Sequence, residues 1–190
     1  MNVFYLHTDP RMSAIFHCDA NLRKMIVEYA QILCAGHWLS SDEIDIRRAI
    51  DGDFYKPTHV NHPSTKWTNS TAYSYAYVYT MWEELLLMYV ERYSKEHGST
   101  RLREGLQHLP KHLHADTVDF LGDFENIHEN MPPPPMCFGK QFEHIKVDVD
   151  ANDHDAVVEA YRQYYREAKH KFATWGGNRE MPRWWLKIVA

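Results

Sequence analysis

Apolar positions recur along most of this chain with a helical period. From Pro10 to about Ala35, Ile15, Leu22, Met25, Ile26, Tyr29 and Leu33 share one arc, which Phe16, Ala20, Val27 and Cys34 widen. Thr8-Asp9-Pro10 marks the start, with Asp9 as N-cap and Pro10 in the first helical position, and Gly36 is the expected C-cap. Against this background stands one narrow polar row. At roughly 100° per residue, Asn21, Lys24, Glu28 and Gln31 fall within about 40° of His17. On a helix apolar nearly all round, such a row either lines a cleft or forms a thin solvent face carrying a Lys24–Glu28 pair.

The pattern then breaks and resumes. Ser40/Ser41 opens a short helix through Ile50, closed by Asp51-Gly52-Asp53. Tyr55 to Trp67 reads as a loop dense in Lys56, His59, Asn61, His62, Lys66 and Trp67. A second long helix is expected from Asn69 or Ser70 to about His97. Tyr73, Tyr75, Tyr77 and Tyr79 alternate like a strand there, but Trp82, Leu85, Leu86, Tyr89 and Tyr93 continue with helical spacing. Residues 99–109 predict a short helix before Pro110. Residues 111–142 are loop-rich, with a helix over 116–124 and an extended spacer at the prolines of 131–136. A last helix spans about 152–173, and Gly176-Gly177 precedes an aromatic, basic tail. The expected fold is mostly α: a single-domain helical bundle with two long helices (about 11–35 and 69–97), a C-terminal helix and long loops. No internal repeat or domain boundary is evident.

Composition narrows the class. At 190 residues, 44% hydrophobic and 25% charged, the chain can bury a sizeable core. No apolar run reaches the roughly 20 residues of a membrane span and no signal-peptide pattern opens the chain, so no membrane partner is expected. Cys18, Cys34 and Cys137 lack metal-type spacing and read as reduced thiols of a cytoplasmic protein. A net charge of −5 argues against a surface that grips a phosphate backbone everywhere. Yet Tyr161 to Lys187 carries seven Lys/Arg against two Glu, interleaved with seven aromatics, which leaves room for a local basic site.

Several chemistries lack their motifs. His59-x2-His62 and His108-x3-His112-x-His114 with Asp116 have ligand-like spacing, but no HExxH or paired-Cys motif accompanies them, so no metal or other cofactor is expected. His154-Asp155 lacks the downstream Asp of a phosphohydrolase, and no GxSxG, GxGxxG or Walker loop occurs. What remains is acid–base chemistry beside basic and aromatic groups. Glu28 is the candidate general base, with His17 and Lys24 one turn either side. Trp67, Tyr73, Trp175, Trp184 and Trp185 are flat faces on which a base could stack, or ordinary packing aromatics. Arg179, Arg183 and Lys187 are the candidate phosphate contacts.

The order of these parts resembles two groups of proteins. Phe4-Tyr5-Leu6, Asp9-Pro10, His17-Cys18-Asp19, Lys24, Glu28, Gln31, Asn61-His62-Pro63, Trp67, Trp175 and Pro182-Arg183-Trp184 are similar, over nearly the whole chain, to a phage-encoded family that brings no activity with it. More distantly, the architecture resembles the small helical phage pyrimidine-dimer DNA glycosylases of the endonuclease V type. That resemblance implies an imine-forming N-terminal amine, here Met1 or Asn2, with Glu28 as the essential carboxylate. Here Asn2 disfavours removal of Met1, and the chain is acidic where that family is basic. An α-amine with a pKa of about 8 is partly neutral at working pH.

The expectation is therefore a DNA glycosylase or lyase that acts on a nucleobase. Met1, His17, Lys24 and Glu28 would do the chemistry. Asn21, Gln31, His59, Asn61, His62, Lys66, Trp67, Arg179, Arg183 and Trp184 would bind DNA or a nucleotide. Two alternatives stay open. One is an enzyme on free nucleotides or in phage DNA base hypermodification, which the acidic surface favours. The other is a non-enzymatic phage protein that binds a host factor. Neither the base nor the oligomeric state is legible.

Overall fold

In the computed structural model, which describes residues 2–113, 130–149, 152–177 and 179–186, the helical periods become seven α-helices with no strand among the described residues. They are α1 (Pro10–Ile15), α2 (Asp19–Leu39), α3 (Glu43–Asp51), α4 (Pro63–Thr68), α5 (Ala72–Tyr93), α6 (Arg103–Leu106) and α7 (His154–Lys169). Short 3-10 turns at Gly98–Leu102, Lys111–Leu113, Lys140–Ile145 and Arg183–Leu186 connect or follow them. The fold is all-α, as the periodicity predicts.

α2 is the central element. It packs on α5 and carries α3 and α4 against its flanks, while α1 also lies on α5. Leu22, Met25, Ile26, Tyr29, Leu33 and Cys34 of α2 join Tyr75, Tyr77, Trp82 and Leu85 of α5 in one continuous core. A helix that is apolar nearly all round is stable only when neighbours cover it on several sides. The strand-like tyrosines of α5 exploit that arrangement. Tyr77 donates from its hydroxyl to the His7 carbonyl (2.7 Å) and Tyr75 to the Leu106 carbonyl (3.0 Å), so opposite sides of α5 are both buried.

The first long helix is two helices, which corrects the expected span of 11–35. The backbone leaves helical geometry at Phe16–Cys18. There the Cys18 amide donates to the Tyr165 hydroxyl (3.0 Å), and the Asp19 amide donates to the Thr174 carbonyl (2.8 Å). Partners from the C-terminal part of the chain thus replace two hydrogen bonds of the helical ladder. Gly36 is not a C-cap: α2 runs on to Leu39, and a Cβ at Gly36 would collide with the Asn69 carboxamide and touch Pro110. Close approach, not left-handed backbone, requires glycine there.

Other boundaries shift with their caps. Asp42, not Ser40 or Ser41, caps α3, accepting the Ile44 amide at 2.9 Å. The loop expected over 55–67 ends early, because His62 caps α4 through Nδ1 and Pro63 occupies its first position. Thr71 caps α5, which stops at Tyr93 where Ser94 turns left-handed (φ 52°), short of the expected span 69–97. The last helix is shorter than 152–173 at both ends. The proline run is pinned to the core rather than free: Trp67 Nε1 donates to the Pro132 carbonyl (2.7 Å) and the Tyr161 hydroxyl to the Pro135 carbonyl (2.8 Å). The helix expected over 116–124 lies outside the described residues. No helix among the described residues is long and apolar enough to cross a membrane.

Candidate active site

Glu28 is held on α2 as a half-buried carboxylate. Its side chain is 19% exposed and Oε1 accepts from Lys24 Nζ at 3.0 Å. Its Oε2 is buried with no hydrogen-bond partner among the described residues, as is Nδ2 of Asn21, two turns earlier on the same helix. A buried carboxylate oxygen without a donor is costly, and such groups are retained where a ligand or water completes them.

Three other elements bring groups to this place. The N-terminal segment threads through the core: Phe4 N–H donates to the Tyr29 hydroxyl (3.1 Å), and Asn2 Nδ2 donates to the Cys137 carbonyl (3.0 Å). His62, at the start of α4, lies within the field of Glu28. Burial holds its imidazole below the ordinary value and His59 adds to that, while Glu28 pulls the other way. From the end of α7, Lys169 places Nζ over the Phe4 ring at 5.3 Å and over the Phe172 ring at 5.5 Å. Burial lowers its amine below the usual lysine value and the Lys24 charge adds to this, against an upward pull from Cys18 and Glu28. A carboxylate, two lysines of different character and an imidazole are thereby coupled across α2, α4 and α7. Shifted groups beside such a carboxylate make this the candidate site of the molecule, although structural ion-pair networks shift pKa values in the same way.

His17 does not belong to the row. It precedes the first turn of α2 and is fully buried. Its Nδ1 lies 2.8 Å from the Ser13 carbonyl, which can only accept, so that nitrogen carries the proton. Nε2 then accepts from the Tyr29 hydroxyl at 3.0 Å, the same hydroxyl that accepts from Phe4 N–H. Burial, against the Ser13 hydrogen bond, lowers the His17 pKa to about 4. His17 is a neutral core link that fixes the N-terminal segment to α1 and α2. The expected five-residue face reduces to Asn21, Lys24, Glu28 and Gln31, of which Asn21 is buried and Gln31 half-buried.

The remaining candidates divide. His59, Asn61 and Lys66 are exposed, with His59 in left-handed backbone (φ 51°) and bonded to the Thr58 hydroxyl. Trp67 and Trp184 are buried and act as packing residues; Trp184 meets Phe16 edge-on at 5.9 Å and Tyr165 at 6.0 Å. Arg179 is engaged by the protein itself, donating to Asp19 Oδ1 (2.7 Å) and to the His17 carbonyl (2.9 Å). Asp19 also accepts from Gly176 N–H and the Thr174 hydroxyl. Burial works to raise this carboxyl, yet those bonds and Arg179 hold it below its usual range. Arg183 is exposed beside a cleft of about 580 Å³ that also carries Glu84, Glu91 and Glu180, so that end of the tail offers a phosphate little net attraction. Met1 and Lys187 lie outside the described residues, as do His114 and Asp116. Among the described residues no three His, Cys, Asp or Glu side chains gather as a metal set, and the three cysteines are free thiols.

The contact of Lys169 with Phe4 and Phe172 is not foreseen from the sequence. Lys169 is one of several basic residues on the polar side of an amphipathic helix, and nothing in its spacing singles it out. Phe172 follows the end of α7 and is 49% exposed. No family model matches the chain, and no curated protein or solved structure matches it significantly.

Proposed function

We propose that Glu28 is the acid–base carboxylate of an enzyme that acts on a nucleobase in DNA, of the glycosylase/lyase type. The observation that carries this reading is the Glu28 carboxylate itself, tied to Lys24 through Oε1, with Oε2 buried and without a hydrogen-bond partner among the described residues. In such a role Lys24 keeps the carboxylate in place and screens its charge from the incoming phosphate backbone. Oε2 then serves a proton on the substrate. Exposed Lys66, Asn61 and His59 near the start of α4 supply polar contacts to the strand, and the exposed Phe172 supplies a flat face for an unstacked base. The resemblance to phage glycosylases supplies the same carboxylate and adds the N-terminal amine as the imine-forming group.

The test is strand cleavage and base release on duplexes carrying a single pyrimidine dimer or a single abasic site. Glu28→Gln is expected to lose roughly 100-fold or more in rate while still binding duplex. Equal rates for the two proteins would refute the role of Glu28. A second reading has its own support in the net charge of −5, which suits a free nucleotide better than a duplex. Salt separates the two: duplex affinity falls steeply with salt and mononucleotide affinity only slightly.

A further inference from the structure

We propose that the cleft between α5 and the tail segment Arg179–Trp184 is a docking groove for a basic segment of a polypeptide partner, bound in polyproline-II-like form with cationic side chains three residues apart. The groove is separate from Glu28 and does not depend on its role. Its volume is about 580 Å³ and much of its lining is apolar: Ile15 and Phe16 at the end of α1, Met88 on α5, and Met181 and Trp184 in the tail. Ile15 is 37% exposed and Met181 41%, so apolar surface stands open to solvent along it.

Three carboxylates border that surface. Glu84 and Glu91 lie two turns apart on the face of α5 that carries Met88, about 10 Å along the helix axis, and Glu180 comes from the tail. None of the three makes an ion pair among the described residues, because neighbouring guanidiniums are engaged elsewhere: Arg179 and Arg92 with Asp19 (2.7 and 3.8 Å) and Arg103 with Glu83 (2.8 Å). Exposed Arg183 offsets one of the three charges. Burial raises the Glu84 carboxyl above its usual value; Arg11 opposes this, while Asp9, Glu83 and Glu91 add to it. A cation brought to this face of α5 relieves that crowding.

Carboxylates alone would suit any cation, but two donors ask for more. Trp184 is only 7% exposed and lines the cleft, yet its Nε1 has no hydrogen-bond partner among the described residues. The same holds for Nε of Arg179, whose other two nitrogens serve the His17 carbonyl and Asp19. Buried donors without acceptors call for a ligand oxygen, which neither a metal ion nor a simple ammonium supplies. A peptide backbone supplies a carbonyl at every residue. An α-helix spends its carbonyls internally, whereas a polyproline-II segment leaves them free. With three residues per turn and about 3.1 Å per residue, that segment sets side chains i and i+3 on one edge about 9 Å apart, close to the interval between Glu84 and Glu91. Basic side chains at i and i+3 then meet the two carboxylates, an apolar residue between them turns to Met88 and Ile15, and a carbonyl accepts from the Trp184 indole. Aromatic-lined grooves that read polyproline-II chains combine the same elements.

The test is a titration of the full chain, followed in ¹H–¹⁵N spectra, with the acetylated and amidated hexapeptide Arg-Pro-Leu-Arg-Pro-Leu. The expected result is saturable binding with shifts over residues 15–16, 84–91 and 179–184, and a downfield move of the Trp184 indole N–H as it gains an acceptor. Affinity should fall about fivefold or more in Glu84→Gln/Glu91→Gln, which breaks no ion pair of the protein. Unchanged affinity in that variant overturns the proposal, as does binding that leaves the Trp184 indole unmoved. Two control peptides discriminate further. Equal affinity for Glu-Pro-Leu-Glu-Pro-Leu removes the role of charge, and equal affinity for flexible, polar Arg-Gly-Ser-Arg-Gly-Ser removes the apolar and polyproline-II components; either result overturns the proposal. So does the absence of any shift at about 5 mM peptide. Shifts of the cleft residues on diluting the protein alone would mark a second copy of the chain as the occupant and overturn it as well.

Discussion

Acid should unfold this protein through a histidine that never meets solvent. His17 is fully buried, neutral, and committed at both ring nitrogens, to the Ser13 carbonyl and the Tyr29 hydroxyl. Its pKa of about 4 in the fold compares with roughly 6.5 in an unfolded chain. Between those values the unfolded chain binds a proton that the native state refuses, so stability falls as pH drops below about 6.5 and levels off below about 4. The full gap corresponds to about 3 kcal/mol, of which about 2 kcal/mol is already lost at about pH 5. Urea unfolding at about pH 7.5 and about pH 5 measures the drop. His17→Gln keeps a donor and an acceptor but cannot titrate, so its drop should be smaller than that of the unmutated protein by about 2 kcal/mol. Asp19, held below its usual carboxylate range, stays ionised across this window, and any carboxylate that does titrate is common to both proteins and cancels in the difference. His37, held below its usual value chiefly by burial, adds a drop of the same sign in both. Equal drops, or an NMR titration of the His17 ring with a midpoint near 6.5, would refute the reasoning.

Three further outcomes follow from buried or crowded groups. Asp19→Ala removes the acceptor of Gly176 N–H, the Thr174 hydroxyl and Arg179, and should cost about 2–4 kcal/mol, with faster amide exchange over residues 173–186 as the local readout. Asp45→Ala leaves the Lys111 amide (2.7 Å) and Arg48 (3.2 Å) without their buried acceptor and should cost about 3–5 kcal/mol in thermal or urea unfolding. Gly36→Ala sets a Cβ against the Asn69 side chain, which bonds the Ile32 and Thr65 carbonyls; it should cost about 1–3 kcal/mol, although alanine is the better helix former.

The helices were legible because their apolar spacing is strong, and the departures have a common cause. Where local propensity alone decides, as at Asp9, the expected cap and the helix agree. Where a distant segment intervenes, the local reading fails. The break at Phe16–Cys18 depends on Tyr165 and Thr174, and Gly36 serves Asn69 and Pro110. The site divides in the same way. Lys24 and Glu28 are visible as a row because they share one helix. His17 looks like part of that row only while the helix is taken as continuous. Lys169 is invisible because its meaning comes from Phe4, which lies far away in sequence.

That dependence also explains why so many tyrosine and histidine contacts converge behind the row. Glu28 and Tyr29 are neighbours on α2, so one turn of helix carries the carboxylate forward and the hydroxyl back into the core. The hydroxyl holds Phe4 N–H and His17, and Phe4 provides the aromatic face beneath the Lys169 amine. The N-terminal segment, the turn before α2 and α2 itself are thus joined at a single hydroxyl, that of Tyr29. The buried relay Phe4–Tyr29–His17–Ser13 contributes no reactive group of its own. It ties the N-terminal segment to α1 and α2 through buried hydrogen bonds.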